Sequence, residues 1–249
     1  MHLASLSDRL RATFVCHSWR QAFVNSPSIW SQLSLTGTTD PHFIATLLER
    51  VKKLKKSPLD ITIRYSRPPI PDEKQLSPFA HTIQNLVVKD ACQGDIQSLS
   101  EALPGPLPLL RTLRIEGNGR ENHSHTPLNP TLPLFSGAVN LEDLALVTLR
   151  SSFLSQFAFK TITTLYFVCA WERYPISLLL DFLKASPSLQ QTNMTILGNI
   201  SCDVPPDRIL VLPYVKKFSL ALTCGWELAT HLACPSAERA IIFLIQADY

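Results

Sequence analysis

The sequence predicts an α/β fold in which short parallel strands and helical returns stack as an irregular solenoid, preceded by a short helical module. Three observations lead to this prediction. An apolar pattern recurs with a period mostly in the twenties, helix-forming segments lie between its copies, and the first 35 residues follow a helical pattern that includes two tryptophans. Of the 249 residues, 45% are hydrophobic and 17% are charged, so a large core is expected.

The recurring unit is an apolar residue, two variable residues, a second apolar residue, one variable residue and a third apolar residue. The central positions of its copies, one of them degraded at Thr192, are Ile61, Leu86, Leu113, Leu144, Leu165, Thr192 and Phe218. Successive centres are 21 to 31 residues apart. This pattern and period are typical of leucine-rich repeats, so residues 36–249 are predicted to form an irregular leucine-rich-repeat domain of about seven repeats. An ordinary α/β domain with similarly spaced strands is the alternative.

Helix-forming segments occupy two of the intervals between the predicted strands. The segment "DIQSLSEAL" (95–103) places Ile96, Leu99 and Leu103 at helical spacing, and "ISLLLDFLKAS" (176–186) is a second amphipathic stretch. A single repeat cannot bury its own apolar face. Strands and helices are therefore expected to share one continuous core.

Variable residues between the apolar strand positions should face away from that core, on the inner surface of the stack. They are Thr62, Arg64, Lys89, Arg114, Glu116, Tyr166, Asn193, Lys217 and Ser219. A mixed-charge surface with one tyrosine suits recognition of a protein, because aromatic and arginine side chains contribute much of the energy at such interfaces. A plain solvated face is the alternative for each of these residues.

Upstream of the repeats, the stretch "SDRLRATFVCHSWRQAFVN" (7–25) predicts two short helices. Leu10 and Phe14 fall four residues apart, and Trp19 shares a helical face with Ala22. The residue before a proline avoids helical geometry, so "NSP" (25–27) should end the second helix. On this pattern both Trp19 and Trp30 are expected in the core.

The same residues resemble the second half of an F-box, whose usual run is V-C-x-x-W-R followed by S-P-x-L-W. The matching residues are Leu10, Val15, Cys16, Trp19, Arg20, Ser26, Pro27, Ile29 and Trp30. The continuation "LLERVKKLKKSPLDITI" (47–63) resembles the helix and P-L-D strand that lead into the repeats of many fungal F-box proteins. The family's L-P-x-E segment and first helix are not found in residues 1–35, so a truncated F-box-like module is expected there.

This resemblance implies a substrate-recognition subunit of a Skp–cullin–F-box ubiquitin ligase. The F-box would contact a Skp-type adaptor, itself bound to the cullin complex, and the repeats would contact an unknown protein substrate. Leu10, Val15, Cys16, Trp19 and Trp30 would bind the adaptor or pack the F-box. The alternative is a stand-alone repeat scaffold that no longer binds the adaptor.

No catalytic, cofactor or metal site is predicted, and an enzyme is not expected. The six cysteines form no CxxC pair, and Cys224, His231 and Cys234 lack a nearby fourth zinc ligand, so they are interpreted as core residues. The sequence has no phosphate-binding glycine loop and no GxSxG motif.

Composition and charge bear on partners and compartment. A net charge of +3 gives no indication of nucleic-acid binding, and "ERVKKLKK" (49–56) is interpreted as the solvated side of a helix rather than a nuclear-import patch. The longest apolar run, "AIIFLI" (240–245), is far shorter than the ~20 residues of a membrane helix. Charged Asp8 and Arg9 interrupt the N-terminal segment, so no signal peptide is expected. A protein of the cytoplasm, the nucleus or both is predicted, without membrane or nucleic-acid partners.

Overall fold

A computed structural model gives the placement of most of the chain. The residues that it describes are 15–24, 26, 30–36, 49, 57–65, 73–118, 134–135, 137–149, 151–157, 159–170, 174–198, 200–201, 203–223 and 227–245. The predictions for Leu10, Cys224 and most of the basic segment 49–56 fall outside these residues.

Strands dominate the described part of the chain. They are β1 (Gln32–Thr36), β2 (Leu59–Arg64), β3 (Ile83–Ala91), β4 (Thr112–Gly117), β5 (Asp143–Val147), β6 (Thr164–Ala170), β7 (Tyr174–Pro175), β8 (Gln191–Leu197), β9 (Ile200–Ser201), β10 (Leu210–Val211), β11 (Lys217–Leu222), β12 (Leu232–Ala233) and β13 (Arg239–Leu244). Nine of them form one open sheet in the order β1-β2-β3-β4-β5-β6-β8-β11-β13, and the two-residue strands pair separately as β7 with β9 and β10 with β12. Neighbours in the large sheet are parallel and follow chain order, so each connection returns the chain to start the next strand beside the last.

The helices that the structure describes lie in the connections or ahead of the sheet. They are α1 (His17–Val24), a 3₁₀ helix (Glu73–Thr82), α2 (Gln93–Ala102), α3 (Ser151–Leu154), α4 (Ile176–Lys184) and α5 (Glu227–Thr230). Helices α2 and α4 confirm the two predicted returns. A capping box starts α2: the Cys92 thiol accepts a hydrogen bond from the Asp95 N–H, and the Asp95 carboxylate accepts one from the Cys92 N–H at 2.7 Å.

The seven predicted strand centres lie in one line across the sheet. Ile61 is in register with Leu86, and the line continues through Leu113, Leu144, Leu165, Thr192 and Phe218. All seven side chains are buried. The predicted α/β class with short parallel strands and helical returns is therefore confirmed, and two strands that the pattern did not identify, β1 and β13, extend the sheet at its edges.

The core lies on one face of the sheet, beneath the returning segments. Ile96 and Leu99 of α2 and Leu179 and Leu183 of α4 are buried in the same cluster as the strand centres. Along β2, β5, β6, β8 and β11, buried residues alternate with residues that are partly or fully exposed. One face is thus a continuous apolar core and the other face is accessible.

Thr192 introduces a polar atom into this core. Its side chain is 1% exposed, and its hydroxyl oxygen has no hydrogen-bond partner among the described residues. We expect Thr192→Val to raise the free energy of unfolding by about 1 kcal/mol, because a buried hydroxyl without a partner is costly and a methyl group replaces it. Urea unfolding followed by circular dichroism measures the change. Thr195→Val, on the accessible face of the same strand, is the control, and an equal effect of both variants would contradict the explanation.

Helix α4 receives its N-terminal cap from another segment. Pro175 at the cap position supplies no side-chain hydrogen bond, and the Asp203 carboxylate instead accepts hydrogen bonds from the Ser177 N–H (3.0 Å) and the Ser177 hydroxyl. Desolvation by partial burial opposes ionisation of Asp203, but the hydrogen bonds from Ser177 and neighbouring backbone N–H groups outweigh it. The pKa of Asp203 consequently lies below its ordinary value of 3.8.

A lowered folded-state pKa stabilises the fold at pH values above the unfolded-state pKa, and this contribution disappears as the pH falls through the folded-state value. Asp203→Asn should therefore lower the melting temperature at neutral pH and should change it least in strong acid. Melting curves from pH 7 down to pH 2 give the comparison. Asp207→Asn, an exposed carboxylate of the same segment, should leave the profile unchanged; a parallel shift of both variants would argue against the capping role.

The two edges of the sheet differ in how much apolar surface they expose. At β1, Trp30, Leu33 and Leu35 are almost completely buried. At β13, the core-side residues Ile242 and Leu244 are 54% and 73% exposed, although they lie in register with fully buried residues of β11. The described chain therefore covers its core at the first strand and leaves it open at the last.

The two tryptophans of the N-terminal segment have different environments. Trp30 is fully buried in the core, which confirms its prediction. Trp19, on α1, is 43% exposed, and Ala22 on the same helix is exposed as well, so the prediction that Trp19 belongs to the core is wrong. Helical spacing placed these residues together correctly, but it carries no information on whether that face meets the sheet.

Candidate protein-recognition surface

The accessible side of the nine-stranded sheet is called the open face here. It consists of the strand positions that alternate with the buried ones. The structure brings all of the predicted inner-face residues to it: Thr62, Arg64, Lys89, Arg114, Glu116, Tyr166, Asn193, Lys217 and Ser219. They are distributed over five strands from β2 to β8 and on β11, so the open face is broad rather than a cleft.

Three of these side chains form a contact cluster near the middle of the open face. The Nε of Arg114 lies 2.6 Å from Oε1 of Glu116, two residues along the same strand. The guanidinium carbon of Arg114 lies 5.9 Å from the centre of the Tyr166 ring. Tyr166 is 38% exposed, so an incoming partner could contact a tyrosine whose orientation is already restrained by the arginine.

A small residue on the intervening strand makes the contact between Arg114 and Tyr166 possible. Arg114 is in register with Ala145, and Ala145 is in register with Tyr166. The arginine and the tyrosine therefore lie two strands apart, about 10 Å between backbones. Only a long side chain crossing a short one can bridge that distance, and the alanine methyl group leaves room for it.

The β2–β4 part of the open face is polar and internally paired. Arg64 lies 3.2 Å from the carboxylate of Asp90, which has a φ of 55° at the end of β3. The Asn85 amide donates a hydrogen bond of 2.5 Å to Asp60 on the neighbouring strand. Several charges in this part thus have partners on the protein itself, and they are less available to a ligand.

An apolar strip, which the sequence interpretation missed, crosses the carboxyl-terminal half of the open face. The strip consists of Val147 on β5, Val168 on β6, Ala221 on β11 and Phe243 on β13. These residues lie in one register row, in which Thr195 occupies the β8 position between Val168 and Ala221. Phe243 is 53% exposed. The available signal was the outward position three residues after each strand centre. This position is apolar in three of the later repeats (Val147, Val168 and Ala221) and polar in the earlier ones (Arg64, Lys89 and Glu116).

Two basic side chains lie at the start of the last two strands, four residues before the strip residues of those strands. Lys217 is exposed at the start of β11 and lies in register with exposed Arg239 at the start of β13. Neither side chain makes an ion pair within the described residues. Like charges opposite each other on neighbouring strands repel each other. An anion bound between Lys217 and Arg239 would reduce this repulsion, so the pair suits a negatively charged ligand.

The predicted adaptor-contact residues are accessible where the structure describes them. Val15 and Cys16 precede α1 and are exposed, and Trp19 on α1 exposes its ring as well. Trp30 is buried and can act only in packing. Leu10 lies outside the described residues.

Of the residues considered for metal binding, His231 and Cys234 are described by the structure, and Cys224 lies outside the described residues. His231 is buried, and its Nδ1 lies 2.8 Å from the carbonyl oxygen of Arg208, which ties the β12 segment to the preceding loop. Burial raises the pKa of the Cys234 thiol above its ordinary value, which makes it less reactive. No group of three or more His, Cys, Asp or Glu side chains with metal-binding geometry occurs among the described residues.

Comparison with known proteins finds no match for this chain, either among protein-family models or among curated protein sequences. In the part of the chain that the structure describes, every helix is too short or too polar to cross a lipid bilayer.

Proposed function

We propose that the chain is an irregular leucine-rich-repeat solenoid that follows an F-box-like helical segment, and that it is the substrate-recognition subunit of a Skp–cullin–F-box ubiquitin ligase in the cytoplasm or nucleus. It binds proteins and catalyses no reaction itself. The observation that carries the proposal is the sheet: parallel strands follow one another in chain order at the repeat period, with one buried face and one accessible face. Stacked repeats produce this arrangement, and they commonly bind partners on such surfaces.

Two separate surfaces support the proposal that the chain binds an adaptor and a target protein at different places. Val15 and Trp19 present apolar side chains on the α1 segment, in the motif that resembles an F-box, and they suit a protein adaptor. The Arg114–Tyr166 cluster lies on the open face of the sheet, where a target protein would bind. Arginine and tyrosine, together with tryptophan, are enriched at the energetic centres of protein interfaces.

Adaptor binding is the decisive experiment. The chain, and a longer form with an upstream L-P-x-E segment if the gene encodes one, should bind purified Skp-type adaptor in a pull-down and in isothermal titration calorimetry. Trp19→Asp should weaken binding by at least about tenfold, since it places a charge in an apolar contact. Tyr214→Asp is the matched control, because Tyr214 is an exposed aromatic residue outside the F-box-like segment.

The outcomes separate the two functions that the sequence left open. Binding by the 249-residue chain, lost in Trp19→Asp alone, supports a ligase subunit. Binding only by the longer form supports the same function and assigns the missing contact to the upstream segment. If neither form binds, the ligase proposal fails, and a repeat scaffold that binds proteins without the adaptor takes its place.

A further inference from the structure

The open face has two chemically different halves. The β2–β4 half carries Arg64 paired with Asp90 and Asn85 paired with Asp60, so several of its polar groups have partners on the protein. The β5–β13 half carries the apolar strip of Val147, Val168, Ala221 and Phe243 at one end, and the Lys217–Arg239 pair at the other. The second half therefore combines partly buried Val147, Val168 and Ala221 and exposed Phe243 with positive charges that have no ion-pair partner in the described structure.

Exposed Leu197 on β8 extends the apolar area. Leu197 follows Thr195 by two residues and so lies on the same side of the strand. Polar Thr195 separates Val168 from Ala221 in this row, and Leu197 adds an apolar side chain on the same strand. Apolar residues grouped on a sheet face that meets water commonly mark an interaction site. The side chains of the strip are aliphatic or aromatic and close to the backbone, so they would contact apolar side chains of a partner rather than a polar ligand.

The distance between the basic residues and the apolar strip sets the minimum length of a ligand that contacts both. Lys217 and Ala221 are four residues apart on β11, as are Arg239 and Phe243 on β13, which corresponds to about 13 Å along each strand. A ligand that satisfies both ends must hold its negative charge about that far from its apolar groups. An extended peptide spans this distance in about four residues.

We propose that this half of the open face binds a target-protein segment in which acidic residues lie about four residues from a short apolar run. The carboxylates would meet Lys217 and Arg239, and the apolar residues would cover the strip between Val168 and Phe243. The inference rests on the proposed function, namely that the open face recognises a protein, and it specifies the chemistry of the recognised segment.

Carboxylates elsewhere on the open face distinguish a peptide from a broad polyanion. Asp143 is exposed in the same register row as Lys217, and Glu116 lies one strand before the strip. A flat anionic membrane or a phosphate backbone laid across the face would meet these carboxylates and be repelled. A short peptide can confine its own acidic groups to the β11 and β13 end.

Selection of random short peptides on the immobilised full chain tests the proposal without knowledge of the natural target. We expect enriched peptides to contain Asp or Glu about four residues away from Leu, Ile, Phe or Val. Their affinity, measured by fluorescence polarisation, should fall about tenfold in Lys217→Glu and in Phe243→Ser, and it should weaken with added salt. Lys160→Glu and Leu109→Ser, at exposed positions outside the sheet, should leave the affinity unchanged.

Several results would overturn the inference: no enriched sequence, enrichment of peptides without acidic residues, equal losses in the control variants, or stronger binding to phosphatidylserine vesicles than to the peptides. Adaptor binding measured on the same variants separates this inference from the proposed function. Lys217→Glu and Phe243→Ser lie far along the chain from Val15 and Trp19 and should leave adaptor binding intact. If adaptor binding persists while peptide selection fails, only the chemistry assigned to the open face is wrong.

Discussion

Replacing Gly137 by alanine is expected to lower the melting temperature by about 6–12 °C, corresponding to about 3 kcal/mol of overpacking in a chain of this size. A Cβ atom at Gly137 would lie 2.4 Å from the carbonyl oxygen of Gly105 and 3.0 Å from the Cα of Pro106. Both are backbone atoms, which cannot rotate out of the way as a flexible side chain does. The two connecting segments would have to separate and lose the hydrogen bond from the Leu107 N–H to the Gly137 carbonyl, now 2.9 Å long.

Gly105→Ala is the matched control for this experiment, since it adds the same methyl group to the other side of the same contact. A Cβ atom at Gly105 would meet no heavy atom within 4 Å. Its melting temperature should stay close to that of the unchanged protein or rise slightly, because alanine reduces the freedom of the unfolded chain. If both variants melt at the same temperature, the explanation by close backbone contact between Gly137 and the Gly105–Pro106 segment is wrong.

The strands were predictable because alternating burial leaves a direct trace in the sequence. Ile61, Leu86, Leu113, Leu144 and Leu165 are each followed two residues later by another apolar residue, and every one of these centres is in register with the next. The spacing also predicted the helical returns. Register followed from the same pattern, since a shift by one residue would expose the whole apolar side of a strand.

Edge strands were not predictable in this way, for two different physical reasons. The segment of β1, "QLSLT", is short and contains only two apolar residues, and its burial depends on Trp30 and on pairing with β2. The segment of β13, "RAIIFL", is apolar without alternation, because neither side of this strand is covered. Hydrophobicity alone therefore indicates a strand of the interior where the structure has an exposed edge.

The recognition surface was predicted only in its polar part. Arg114, Glu116 and Tyr166 were assigned to the accessible side because they alternate with apolar residues, and successive side chains of a strand point to opposite faces of the sheet. Val147 and Val168 occupy equivalent positions, but their apolar character made them indistinguishable from core residues. An apolar residue is not necessarily buried, and only the register across neighbouring strands shows that these valines form one strip with Phe243.

Replacing Trp30 by alanine is expected to cost about 3–5 kcal/mol of unfolding free energy, the largest effect of the substitutions considered. Trp30 is fully buried and belongs to the same apolar cluster as Leu33, Leu35 and Ile61, so its removal leaves a cavity beneath the first strands. Trp19→Ala removes the same side chain from a site that is 43% exposed and should cost less than about 1 kcal/mol. Urea unfolding followed by circular dichroism, which does not depend on tryptophan fluorescence, measures both. Equal losses would mean that Trp19 packs against the core after all, and the accessible tryptophan on which the adaptor contact depends would no longer be available.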